Sequence, residues 1–150
     1  MADLNCLKEL VFESDNEACF IERERILNRL EKEFDEYNGS DKYALIFSWL
    51  MSEVSTPLED CVYFAGRVLE EKPDSGMSAP NRLLCATGHM SPDYESLLKY
   101  GLKGVLKKIK DAAEEKVDED SLIFAQNAEI VVNAIKSYTE RYAATAKSKG

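Results

Sequence analysis

Apolar residues return at helical spacing along most of this chain. Over 19–37, Phe20, Ile21, Leu27, Leu30 and Phe34 form one face and Glu22, Arg23, Glu24, Arg25, Glu31 and Lys32 the wet one, which predicts an amphipathic helix. Ser14-Asp15-Asn16 offers caps before it and Asn38-Gly39-Ser40 ends it. A short helix or frayed turn over 4–12 comes first. Over 42–54, Tyr43, Leu45, Ile46, Phe47, Trp49 and Leu50 put apolar groups around so much of the circumference that contact on more than one side is expected. Thr56-Pro57-Leu58-Glu59 then has the form of a capping box with proline at the first helical position.

The period changes at Cys61-Val62-Tyr63-Phe64-Ala65, where β-branched and aromatic residues predict a short strand ended by Gly66. Residues 71–81, with Pro73, Gly76 and Pro80, read as irregular loop. A third long helix follows from Pro92, with Ser91 as its N-cap and Leu97, Leu98, Leu102, Val105, Leu106 and Ile109 as its stripe. Gly101 and Gly104 lie inside it, at about 1 kcal/mol each against alanine. Such a pair points to tight helix packing, or to another backbone or a ligand close by. After a charged linker over 114–120, where Asp118 or Asp120 can cap, the last helix spans 121–146. Its face is Leu122, Ala125, Ala128, Val131, Val132, Ile135, Tyr138 and Tyr142, and the short linker sets it antiparallel to the third helix. The fold class expected is mainly α: antiparallel helices with a short strand element, in one helical domain over 1–150.

Composition narrows what such a domain does. The net charge of −9 opposes binding to nucleic acid and to an anionic membrane surface. No apolar run approaches the roughly 20 residues that span a bilayer, and the start lacks the features of a secretory signal, so a cytoplasmic location is expected. Cys6, Cys19, Cys61 and Cys85 are widely spaced with no Cys-x-x-Cys pair, which suits reduced thiols. Cys85 and His89 supply two ligands where a zinc site needs four together, so no metal site is expected.

The chemistry concentrates at Gly88-His89-Met90-Ser91-Pro92-Asp93-Tyr94. His89 is the single histidine, in a loop just before a helix N-terminus, a setting suited to polar or anionic ligands. Gly88 opens backbone conformations closed to other residues, or lets a ligand approach. A lone loop histidine also occurs with no such role. Asp93 reads as a first-turn dipole partner or as a site carboxylate. No catalytic triad can be assembled around one histidine with no identifiable orienting acid, and Gly66-Arg67 lacks the other glycines of a phosphate loop. The candidate site residues are His89 and Gly88 as substrate-binding groups, with no catalytic residue assigned.

Three blocks resemble the N-terminal region of the glycyl radical enzymes, the pyruvate formate-lyase family, in its dehydratase and carbon–heteroatom lyase branch. They are Glu22-Arg23-Glu24-Arg25-Ile26-Leu27, then Val62-Tyr63-Phe64-Ala65-Gly66-Arg67-Val68, and, most specific, Gly88 to Tyr94 with Leu98, Gly101, Leu102 and Gly104. Glu140-Arg141-Tyr142-Ala143 is similar to a helix that follows in the family. The resemblance implies a truncated part of the pyruvate formate-lyase-like α/β-barrel fold, from a cytoplasmic enzyme of anaerobic metabolism. In complete members one barrel loop carries a thiyl cysteine and another a radical-storing glycine, and a separate S-adenosylmethionine iron–sulfur activating enzyme installs the radical.

Here Val68 is followed by Leu69 where the glycyl loop has a Ser-Gly-Tyr type of sequence, and no cysteine stands in the Cys-Cys or Cys-x-Glu context of the thiyl position. The resemblance therefore implies that this polypeptide alone binds no cofactor and does not catalyse the family's reaction. It would cover one side of the barrel and supply a pocket residue, His89, reaching a substrate hydroxyl. The partner implied is the remainder of the parent enzyme, with self-association through exposed apolar surface. His89 should then lie partly exposed on the face left for the barrel. Two other readings are a free-standing helical interaction module, presenting the last helix, and a small-ligand binder using His89.

Overall fold

In the computed structural model the described residues are 4–5, 17–58, 93–115 and 118–149, with the backbone alone for 17–20. They form four longer helices: α1 (Glu17–Glu33), α2 (Lys42–Glu53), α3 (Tyr94–Glu114) and α4 (Glu119–Lys149). The strand expected at 61–65, the loop at 71–81, and most of the short helix expected over 4–12 lie outside the described residues.

α1 carries a dry stripe in a different phase from the one the sequence suggests. Arg23, Ile26, Leu27 and Leu30 are buried, at i, i+3, i+4 and i+7, with Phe34 packed beside them. Arg23, expected on the wet face, is 6% exposed, whereas Ile21, expected on the dry face, is 58% exposed. Both are corrections with one cause: the strict stripe runs back from Leu30 through residue 23 and passes residue 21 by. An arginine tolerates that place because its stem is apolar.

α2 packs on both α1 and α4, as its wide apolar circumference requires. Ala44, Ile46, Leu50 and Met51 are buried; Tyr43 and Trp49 remain exposed. α1 and α2 run antiparallel. At one end of the pair the Glu22 carboxylate accepts from the Ser55 N–H and, at 2.7 Å, from its hydroxyl, while Arg29 bridges Glu33 and Glu53. The core joins these two helices to the second half of α4 through Ala134, Tyr138 and Tyr142, the tyrosine rings meeting edge-on at 5.0 Å.

α4, at 1.5 Å per residue about 46 Å long, is the spine. α3 lies antiparallel along its first half, as expected: Lys110 pairs with Glu129 at 3.0 Å, and Ile109 and Ala112 share a hollow with Phe124 and Ser121. No residue of α3 is fully buried. α2 instead runs parallel to α4. Asn127 donates to the Ser40 carbonyl at one end, and Arg141, Thr145 and Lys149 meet residues 51–58 at the other. The expectation of antiparallel helices is met by α3 with α4 and by α1 with α2, and is corrected for α2 with α4, which share a direction.

Two helix starts also differ. Asp118 caps α4 as expected, its carboxylate accepting from the Ser121 N–H at 2.8 Å. α3 begins at Tyr94 with Asp93 as N-cap, two residues beyond the expected Ser91–Pro92 start. After α2 no helix has resumed at Pro57 and Leu58, and the Thr56 hydroxyl shares a hydrogen bond with the Thr145 hydroxyl at 3.0 Å; Glu59, the other end of the expected capping box, lies outside the described residues.

Tyr142 is buried, and its hydroxyl has no hydrogen-bond partner among the described residues. A buried, unpaired hydroxyl costs free energy that a phenyl ring does not. Tyr142→Phe is therefore expected to raise stability by about 1 kcal/mol, read as a higher midpoint in denaturant.

Candidate functional site

Gly88 and His89 lie outside the described residues. The next described residue after them is Asp93. Its carboxylate accepts from the Ser96 N–H at 3.0 Å, satisfying one of the free donors of the first turn. That bond, the Ser96 side chain, and the charge of Lys108 hold the Asp93 pKa below its ordinary value of 3.8. Asp93 is thus the helix cap, and the dipole-partner reading of it becomes a capping role. A carboxyl lowered in the folded state contributes stability that is whole above 3.8 and is lost as pH falls through the folded value. The Ser96 amide resonance should therefore titrate with a midpoint below that value, and Asp93→Asn should abolish the titration.

The glycines of α3 have separate reasons. Gly101 takes φ 64°, the single positive φ among the described residues, and a Cβ added there would meet nothing within 4 Å. It is required by backbone conformation, not by a close neighbour. A Cβ on Gly104 would strike the Cβ of Tyr100. The close approach that the pair suggested is made at Gly104 alone, by a side chain of the same helix.

Two apolar hollows lie beside α4 and share Phe124, which is 75% exposed, as a common wall; together they form a trough. One hollow, about 440 Å³, lies toward α2 against Tyr43, Ala44, Phe47, Ala128 and Val131. The other, about 490 Å³, lies toward α3 against Val105, Ile109, Ala112 and Ala125. The polar side chains in the linings are Ser40, Tyr43 and Asn127 in the first, and Lys108, Asp120 and Ser121 in the second. Such a lining, apolar over most of its area, takes apolar side chains. A third, polar hollow next to the first is lined by Gly39, Asp41, Gln126, Glu129 and Asn133.

Among the described residues no group of three or more His, Cys, Asp or Glu side chains is placed to hold a metal ion, and no helix is long and apolar enough to cross a membrane. Phe124 was not singled out by the sequence, and Arg141 entered only as part of the Glu140-Arg141-Tyr142-Ala143 resemblance, with no role given to it. Phe124 sits one position before the Ala125 stripe. Arg141 is a cation flanked by the buried Tyr138 and Tyr142, and that juxtaposition was a readable signal.

The sequence profile of one family, described as pyruvate formate lyase-like, matches residues 20–149. No curated protein and no solved structure matches the chain.

Proposed function

The chain belongs to the pyruvate formate lyase-like family, and on that premise we propose that it acts as the helical N-terminal part of a glycyl radical enzyme of the lyase or dehydratase branch, packed against the barrel. The radical chemistry is then the work of the rest of such an enzyme, its glycyl radical installed by an S-adenosylmethionine iron–sulfur activating enzyme. His89, with Gly88 beside it, would reach a substrate hydroxyl from the loop ahead of α3. The cell compartment in this reading is the cytoplasm.

The observation that carries the proposal is the Phe124 trough: a large aromatic ring standing in water, between two hollows, on a chain of net charge −9. Contiguous exposed apolar surface of this kind marks a place where another protein surface belongs. Its lining suits aliphatic and aromatic side chains better than polyols or amines, which favours a packing role over small-ligand binding.

The test pairs this chain with a barrel from the same family that lacks its own matching helices. Co-purification in equal amounts is expected, and Phe124→Asp should abolish it while leaving helix content unchanged. Failure of the unaltered chain to associate, or association indifferent to Phe124→Asp, rejects the reading. Without the barrel, sedimentation should show concentration-dependent self-association that Phe124→Asp weakens.

A further inference from the structure

α3 is two helical pieces joined at a joint. Ser96 and Lys108 are twelve residues apart, a rise of about 18 Å in a continuous helix, yet the Lys108 ammonium donates to the Ser96 hydroxyl at 3.1 Å. The chain folds back at Gly101, whose φ 64° and ψ −178° lie outside any helix and favour a residue without Cβ. The fold-back is clasped around one ring. Tyr100 seats against the bare Cα of Gly104, and the ammonium groups of Lys108 and Lys99 stand 4.8 and 5.1 Å from its centroid.

The two sides of the joint differ. Beyond it, Leu102, Val105, Leu106 and Ile109 are each partly covered. Before it, Tyr94, Leu97, Leu98 and Tyr100 are exposed, Leu98 at 87%. The clasp contacts stand in water, where each is weak. The alternative, an unbroken helix, regains the backbone hydrogen bonds interrupted at the joint but must hold two glycines in its interior. Each state has what the other lacks, so neither dominates strongly. Straightening would also align Leu97 and Leu98 with Leu102, Val105, Leu106 and Ile109 in one stripe.

The geometry points to a two-position arm: residues 94–100 swing about Gly101 between the clasped form and a continuous helix. The arm is about 10 Å long, so the swing relocates Asp93. This inference does not depend on the family reading.

Nuclear magnetic resonance on the full chain tests it. The unaltered protein should give contacts between the Tyr100 ring and the Lys108 side chain, with Gly101 carbon shifts outside the helical range. Gly101→Ala disfavours the positive φ, and Gly104→Ala removes the seat of Tyr100. Each should abolish those contacts and bring residues 98–104 to helical shifts, while the Trp49 fluorescence transition, which reports the core, stays in place. Lys108→Met loosens the clasp without touching the backbone and should shift the same signals part of the way. Absence of the contacts in the unaltered protein overturns the arm. So does their persistence in either glycine variant, or their loss without new helical shifts across 98–104.

Discussion

Leu30→Ala is expected to lower stability by about 4 kcal/mol, near the top of the usual range for a buried leucine truncated to alanine. Leu30 is 0% exposed and sits where α1 meets the core that includes α2 and α4. The loss has two parts: the transfer free energy of the removed carbons, and the void left because three helices cannot all close on it. Leu50, equally buried, provides the contrast. It already borders the 440 Å³ hollow toward α2, so its neighbours have room to shift, and Leu50→Ala should cost less, about 3 kcal/mol. Set against a total of about 5–15 kcal/mol, either change is large. For a chain of this length about 4 kcal/mol corresponds to a melting point lower by roughly 8–16 °C. Trp49, the single tryptophan, reports the transition in urea by fluorescence. Leu98→Ala, on the exposed arm, should move the midpoint hardly at all. Equal losses at Leu30 and Leu98 would contradict the core described here.

The helices were readable because helical burial leaves a 3.6-residue period that no other force imitates. Lys42–Glu53 is bounded almost where its apolar run ends, and the short linker before α4 fixed its antiparallel partner in α3. The phase of α1 was less readable. In a segment as charged as Ile21-Glu22-Arg23-Glu24-Arg25, hydrophobicity alone favours Ile21, whereas geometry admits the stem of Arg23. The start of α3 was ambiguous for a related reason: Ser91, Pro92 and Asp93 each satisfy a rule for helix starts, and the side chain that reaches the Ser96 N–H decides. The parallel pairing of α2 and α4 left no local trace, because it depends on partners nearly ninety residues away. As for site chemistry, the lone histidine drew attention to 88–89, while the trough is made of residues that any helical core would contain. Only their lack of cover distinguishes them, and cover is a property of the assembled fold.

The largest polar effect is expected at Arg141. Its two terminal nitrogens donate to the carbonyls of Met51 at 2.8 Å and Val54 at 2.7 Å, groups at the end of α2 that have no onward helical partner. One turn further along α4, Thr145 meets the Thr56 hydroxyl, and a turn beyond that the Lys149 ammonium donates to the Leu58 carbonyl at 2.7 Å. Positions 141, 145 and 149 thus grip the chain leaving α2 at one helical period, and the grips at 141 and 145 are part-buried where that at 149 is exposed. Arg141→Ala strands two carbonyls where Met51 and Val54 are buried, and a hydrogen bond to a charged group is worth about 1.5–3 kcal/mol, so with incomplete additivity the loss should be about 2–4 kcal/mol. Arg141→Lys keeps the charge but can reach only one carbonyl well, and should retain about half. Neither carbonyl bears a formal charge, so the effect should change little between low and high salt, unlike that of the exposed Lys107–Asp111 pair. Hydrogen exchange gives the decisive pattern: Val54 and Ser55 should lose protection in Arg141→Ala while the middle of α1 keeps most of its own. Uniform loss across all helices would mean that Arg141 serves only the general fold, and that α2 ends where it does without the guanidinium.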